Sequence, residues 1–272
     1  MHLVRYASVD HSTAVGALTD DGTVVDVGYA DMVAFIAGGE AALARARAAI
    51  DAAEPVPAAR LLAPLPNPGK MLFLGRSYAR YRGNVPDDEP PFVYSRVSSS
   101  IIGPGEGIRL PRPDVKILYE GEMLIVIGRA ARGVSAAEAM SHVFGYTQVN
   151  DVTWVDWLPS PIESGLPQIC LSKNADTFCP MGPYIATADE YEGGAVPFTV
   201  SVNGEVRTTA STEQLVWKLP RLIEFLSRDM TLWPGDVIAT GTPDAQDLVA
   251  GDEVTVEFEG LGQLTNPVVG SG

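Results

Sequence analysis

Apolar residues in this chain fall in short runs separated by turn residues, which is the signature of strands rather than long helices. Leu3–Tyr6, Ala14–Leu18 and Val24–Val27 predict three strands, with Asp20-Asp21-Gly22 turning between the last two. An alanine-rich helix is predicted from Glu40 to about Ala53. The proline-rich stretch from Glu54 to Pro68 reads as an extended connection. A division near Pro66 therefore separates a small N-terminal α/β domain, 1–66, from a second unit, 67–272. In the second unit, Met71–Leu74 and Met123–Ile127 have the pattern of buried strands, each stopped by a glycine. Ser135 and Glu138 have capping-box spacing and predict a helix over Ser135–Phe144. A second helix is predicted from Ser211, with Gln214 at N3, toward Ser227, interrupted at Pro220. Val237–Ala239 and Glu253–Phe258 predict further strands, each after a Gly-Asp pair. The fold class expected is α/β, β-rich, with few helices.

Charge narrows the function. The 272 residues carry 19 Lys and Arg against 34 Asp and Glu, a net charge of −15. Phosphate repulsion makes a nucleic-acid partner unexpected, whereas cations are welcome. No apolar run approaches the roughly 20 residues of a membrane span, so no membrane partner is expected. The N-terminal residues lack a signal-peptide pattern, and Cys170 and Cys179 make no disulfide framework. A reduced, cytoplasmic setting is the expectation. The chain also lacks G-x-S-x-G, G-x-G-x-x-G, P-loop and zinc signatures.

The stretch Tyr119-Glu120-Gly121-Glu122-Met123-Leu124-Ile125-Val126-Ile127-Gly128 carries the most chemistry. On a strand, residues two apart share a face, so Glu120 and Glu122 align with Leu124 and Val126. That face passes from a polar site into a core. Two adjacent carboxylates repel, and burying them unpaired costs several kcal/mol each. A divalent cation relieves both costs.

Four later segments extend the pattern: Gly145-Tyr146 through Asn150-Asp151-Val152; Lys173 through Asp176-Thr177-Phe178 to Gly182-Pro183; Val202-Asn203-Gly204-Glu205; and Pro234-Gly235-Asp236-Val237-Ile238 through Thr240-Gly241-Thr242-Pro243. With the Glu-x-Glu strand, and in this order, they closely resemble the fumarylacetoacetate hydrolase family, from about Lys70 to the C-terminus. The resemblance implies a mixed, rolled β-sheet domain with peripheral helices, and a homodimer. It implies Glu120, Glu122 and Asp151 as ligands of Mg²⁺, Mn²⁺ or Ca²⁺, a donor set that suits a hard cation. Lys173 matches the family's active-site lysine, and Thr240, Gly241 and Thr242 match its substrate-facing loop. Substrates implied are small 2-oxo acids or 1,3-dicarbonyl compounds, reacting through a metal-stabilised enolate. Arg76 and Arg96 are candidate anion grips, because a guanidinium can hold a carboxylate with two parallel bonds.

The chain departs from the family where hydrolytic members carry Asn-Tyr-x-x-His-x-x-Glu. Tyr81 stands at the histidine position and Asn84 at the glutamate position. A tyrosine, with an ordinary pKa of about 10, is a poor base at neutral pH, and an amide is none. Val155 and Thr208 replace an arginine and a glutamine common in the family. The expected function is a metal-dependent C–C hydrolase or lyase, cleaving by hydrolysis or decarboxylation. The alternative is enolate chemistry without cleavage (isomerase, tautomerase, dehydratase or cyclase), with Lys173 or Tyr81 moving the proton. A third reading is a non-enzymatic binding module. The bulky segment Trp154–Ile169 suggests a reshaped, more apolar pocket.

Overall fold

Strand Gly121–Ile127 is buried along its whole length, which is why its sequence is an unbroken apolar run after the second glutamate. It pairs antiparallel with Val143–Asn150 on one side and with Val237–Ala239 on the other. The computed structural model describes residues 1–82, 89–158 and 168–271. Within them this strand lies inside an 11-stranded mixed sheet. From it the sheet continues through Val237–Ala239 to a parallel neighbour, Met71–Gly75, and ends at Phe92–Ser95. In the other direction it runs through Val143–Asn150 to Cys179–Thr187 and on to His2–Ser8.

The N-terminal strands His2–Ser8, Thr13–Leu18 and Val24–Tyr29 form where predicted, and so does helix Gly39–Ala52. Residues 1–66 and 67–272 share this sheet: His2 and Leu3 pair with Ala186 and Ile185. They also share a core, in which Leu3, Val15, Phe35 and Ile36 join Phe73, Leu124, Val126 and Met181.

The predicted alternation holds along the central strand. Leu124 and Val126 enter the core shared with the N-terminal elements. Met123, Ile125 and Ile127 face a second core with Val200, Phe198, Val254 and Phe258. Those residues belong to a 5-stranded sheet built around Pro197–Val202, Glu205–Ser211, Glu253–Phe258 and Gln263–Val269. A buried amide links the two sheets: Gln148 Oε1 accepts from Phe258 N–H at 2.9 Å, and its Nε2 donates to the Gly262 carbonyl at 2.8 Å. Gly121 faces the second sheet, and a Cβ there would sit 2.6 Å from Val200 Cγ2. The motif Glu-Gly-Glu thus has carboxylates on one face and a required absence of side chain on the other.

Two helix expectations change. The Ser135–Glu138 capping box forms, but its helix is only Ala136–Ala139, followed by a 3₁₀ turn over Met140–His142. From Val143 the chain is strand. The Ser211–Gln214 capping box also forms, yet it caps a single 3₁₀ turn, Thr212–Gln214. The helix proper is Leu219–Asp229, and Pro220 lies in its first turn. Proline suits that place because the N–H it lacks would have no intrahelical partner there. Among the described residues no helix is long and apolar enough to cross a membrane.

Candidate metal centre and active site

Strand register brings the three predicted ligands together. Glu122 pairs across the sheet with Val149, and Asp151 lies two residues beyond Val149. Period-two alternation therefore puts Asp151 on the carboxylate face, beside Glu120. Two bonds lock the corner: Asp151 N–H donates to the Glu120 carbonyl at 2.8 Å, and Glu120 N–H donates to Asn150 Oδ1 at 2.9 Å. Carboxylate oxygens of Glu120, Glu122 and Asp151 lie within 4.8 Å of one another.

The short helix Ile169–Lys173 delivers Lys173, and Ser172 Oγ anchors it by donating to the Trp154 carbonyl at 3.0 Å. Lys173 Nζ donates to Glu120 Oε2 at 2.8 Å, to the Asp151 carbonyl at 3.0 Å and to Asp151 Oδ2. An ammonium has three donors, and all three are engaged. Arg96 reaches Asp151 from the buried side. Its guanidinium donates to Asp151 Oδ1 and to the carbonyls of Lys173 and Phe178, the last at 2.9 Å. Its side chain is 0% exposed and lies off the cavity wall. Arg96 is thus placed to fix a carboxylate of the protein.

Gly241 N–H donates to Glu122 Oε2 at 2.7 Å, so the Thr240-Gly241-Thr242 turn is spent partly on a ligand. Thr240 Oγ1 donates to the Met123 carbonyl at 3.2 Å, and Thr242 Oγ1 to the Asp244 carbonyl at 2.7 Å. Only Thr242 of the three lines the adjoining cavity. Gly241 has φ +81°, and a Cβ there would lie 2.0 Å from Ser77 Oγ and 2.8 Å from the Leu74 carbonyl. Gly241→Ala is expected to destabilise the protein by about 2 kcal/mol or more, through strain and overpacking together. Urea unfolding checks this, and an unchanged midpoint would refute it.

Electrostatics favour a cation. Burial, and then the charges of Asp151 and Glu120, hold the Glu122 carboxyl well above the usual carboxylate range. Burial also pushes Glu120 up, against the pull of Lys173. For Asp151 burial is outweighed by Lys173 and Arg96, and its pKa falls. Lys173 is raised: its own burial is overcome by Asp151 and Glu120. Three carboxylates against two cations leave one net negative charge. A divalent ion would reverse that to one positive, which favours an anionic substrate. Glu122 Oε1 is buried with no hydrogen-bond partner. Three converging carboxylates, one of them with an orphaned buried oxygen, are the donor set a hard cation requires, so the residues fit Mg²⁺, Mn²⁺ or Ca²⁺.

Two residues at the site escaped the sequence reading. Tyr94 O–H donates to Asp151 Oδ2, and Thr153 Oγ1 donates to Glu120 Oε1 at 2.6 Å. A signal existed for both: Tyr94 is two residues from Arg96, and Thr153 two from Asp151, so each pair can share a strand face. A cavity of about 720 Å³ opens beside Glu120, Lys173, Tyr94 and Thr153, and Arg76 lines it. Arg76 has φ +55°, a strained conformation for a residue with a side chain. The Tyr81 side chain, Asn84 and residues 159–167 lie outside the described residues.

The profile described as Fumarylacetoacetate (FAA) hydrolase C-terminal matches residues 73–269. A mitochondrial oxaloacetate tautomerase of Xenopus laevis is 35% identical, over 99% of this chain and 90% of its own length. Among solved structures, a 5-carboxymethyl-2-hydroxymuconate delta-isomerase from Mycobacterium smegmatis is 33% identical, with TM-score 0.80 and all of both chains covered. A maleylpyruvate hydrolase from Sphingobium sp. SYK-6, in complex with manganese and pyruvate, is 27% identical, with TM-score 0.84 and the same coverage.

Proposed function

The chain belongs to the fumarylacetoacetate hydrolase family, and from that premise we propose that it interconverts the keto and enol forms of a small 2-oxo acid without breaking a carbon–carbon bond. The observation that carries this reading is an intact set of Glu120, Glu122, Asp151 and Lys173 in a chain with Tyr81 and Asn84 where hydrolytic members keep a histidine and a glutamate. Hydrolysis needs a group that activates water; tautomerisation consumes none. The names of the Xenopus tautomerase and the Mycobacterium isomerase support the same choice. The C–C cleavage expected first from sequence is the weaker reading, supported by the more distant hydrolase.

Glu120, Glu122 and Asp151 would hold the divalent cation, whose chemistry is Lewis-acid polarisation of the substrate's oxygens. Arg76, on the cavity wall, grips the substrate carboxylate with paired N–H donors. Tautomerisation moves one proton off the carbon beside the carbonyl and brings one to the carbonyl oxygen. Lys173 Nζ and Glu120 Oε2, 2.8 Å apart and both on the cavity wall, divide that work. The ammonium, kept protonated by Asp151 and Glu120, gives a proton to the carbonyl oxygen. The Glu120 carboxylate, which burial makes more basic, takes one from the carbon, and the bond between them returns it. Tyr94 keeps its own proton, because burial and then Asp151 raise its pKa well above the ordinary value. It orients Asp151.

The test follows enol absorbance and, in deuterated water, label at the α-carbon, with oxaloacetate and other 2-oxo acids in the presence of Mg²⁺ or Mn²⁺. Faster enol decay and label uptake without fragment release are expected. Stoichiometric release of a carboxylic acid or CO₂ would restore the cleavage reading. A homodimer, proposed from the family resemblance, is checked by sedimentation. The free thiols Cys170 and Cys179 fit a reducing compartment such as the cytoplasm.

A further inference from the structure

We infer that the cavity beside the carboxylates is built for a 2-oxo acid with a single carboxylate and an aryl or branched-alkyl tail, in preference to a short 2-oxo diacid. This rests on the tautomerase reading of the same site and names its substrate class.

Size is the first argument. The cavity holds about 720 Å³. A four-carbon oxo diacid has about nine non-hydrogen atoms, and even at a water molecule's share of roughly 30 Å³ for each it leaves more than half of that space empty. The volume lies in the range of pockets that enclose much larger ligands.

Wall chemistry is the second. Beyond the polar groups, the lining includes Leu74, Phe92, Leu158, Ile169, Trp217 and Ala245. Phe92 is 50% exposed. Trp217 is only partly covered, by Phe225 at 5.6 Å between ring centroids. This is apolar surface that the protein's own core leaves open, and it faces one half-open cleft. An apolar tail laid against it gains the burial.

Charge is the third. Among the described lining residues the cations are Arg76 and Lys173, and Lys173 has all its donors on Glu120 and Asp151. Beside the cation that Glu120, Glu122 and Asp151 would hold for the oxo group, one guanidinium is left for the carboxylate. A second substrate carboxylate would meet Glu89 or the apolar wall, and an unpaired charge pays desolvation there.

The experiment is calorimetric titration of the Mg²⁺-loaded full chain with phenylpyruvate, 4-methyl-2-oxopentanoate, pyruvate and oxaloacetate, with enol–keto rates measured in parallel. Phenylpyruvate is expected to bind at least about tenfold more tightly than pyruvate or oxaloacetate. Trp217→Ala is expected to erase most of that margin and leave pyruvate within about twofold. Oxaloacetate binding as tightly as phenylpyruvate, or no 2-oxo acid binding at all, would overturn the inference; this comparison needs no variant. Aryl preference in binding with no tautomerisation of any compound would sink the functional reading and leave the pocket assignment standing. Tautomerisation of oxaloacetate without aryl preference would do the reverse.

Discussion

Glu122→Gln is expected to raise the stability of the metal-free protein at pH 8 and to abolish its response to divalent cations. Glu122 is fully buried, has an unpartnered Oε1, and is pressed by Asp151 and Glu120. Its folded pKa lies above the ordinary 4.5. A group raised on folding contributes stability below its unfolded pKa and loses it as pH climbs through the folded one. The metal-free wild type should therefore weaken from about pH 4.5 upward, by at most about 1.4 kcal/mol per pH unit for this one proton. Asp151, whose pKa is lowered from 3.8, acts with the opposite sign, below that value. The two windows do not overlap. Glutamine keeps an acceptor for Gly241 N–H and removes the charge, so the variant's stability should fall less steeply across the upper window, where Glu120, also pushed up by burial, still contributes. Excess Mg²⁺ or Mn²⁺ should raise the wild type's unfolding free energy by about 2.7 kcal/mol at a hundred times its Kd, and the variant's by almost none. Turnover should fall by about 100-fold or more, since several kcal/mol of charge stabilisation depend on the ion. Thermal unfolding between pH 5 and 8, with and without chelator, reads the stability effects. A variant that still answers to the cation would remove Glu122 from the ligand set.

The Glu-Gly-Glu strand was legible because alternation is a local property: a period of two fixes which residues share a face before any partner is known. Asp151 was not legible that way. Its place depends on the pairing of Glu122 with Val149, a register set by strands far apart in sequence. Only the resemblance of ordered segments pointed to it. The helix expected over Ser135–Phe144 shows the limit of local signals. The capping box fixed the start, but nothing in a cap says how long a helix runs, and from Val143 ladder pairing with Gly121–Ile127 won. At Pro220 the fault lay in assuming where the helix began, since proline ends a helix from inside and starts one from its first turn.

Substrate-facing residues were the least legible part. Arg76, Arg96 and the Thr240–Thr242 turn look alike in sequence, as cations or donors near a motif. The structure gives them different work: Arg76 lines the cavity, Gly241 holds Glu122, and Arg96 lies beneath Asp151. Which oxygen a donor meets is a fact of packing that no spacing rule carries.

Arg96 turns that difference into a measurement. Arg96→Met removes a side chain that serves Asp151 Oδ1 and the carbonyls of Lys173 and Phe178 at once. All three acceptors are buried, and the carboxylate keeps its charge with one partner fewer. Breaking a buried pair from one side costs about 3–5 kcal/mol, so the unfolding free energy should drop by that order. Cation affinity should fall about 10- to 100-fold, because Asp151 is no longer held in register with Glu120. Arg96→Lys should recover only part of both losses, since one ammonium cannot span acceptors that a planar fork reaches together. A substrate grip would behave otherwise: losing it would raise KM for 2-oxo acids while the unfolding midpoint stayed where it was. Equilibrium denaturation beside steady-state kinetics on the same two variants separates the roles, and an unmoved midpoint with a raised KM would return Arg96 to the substrate.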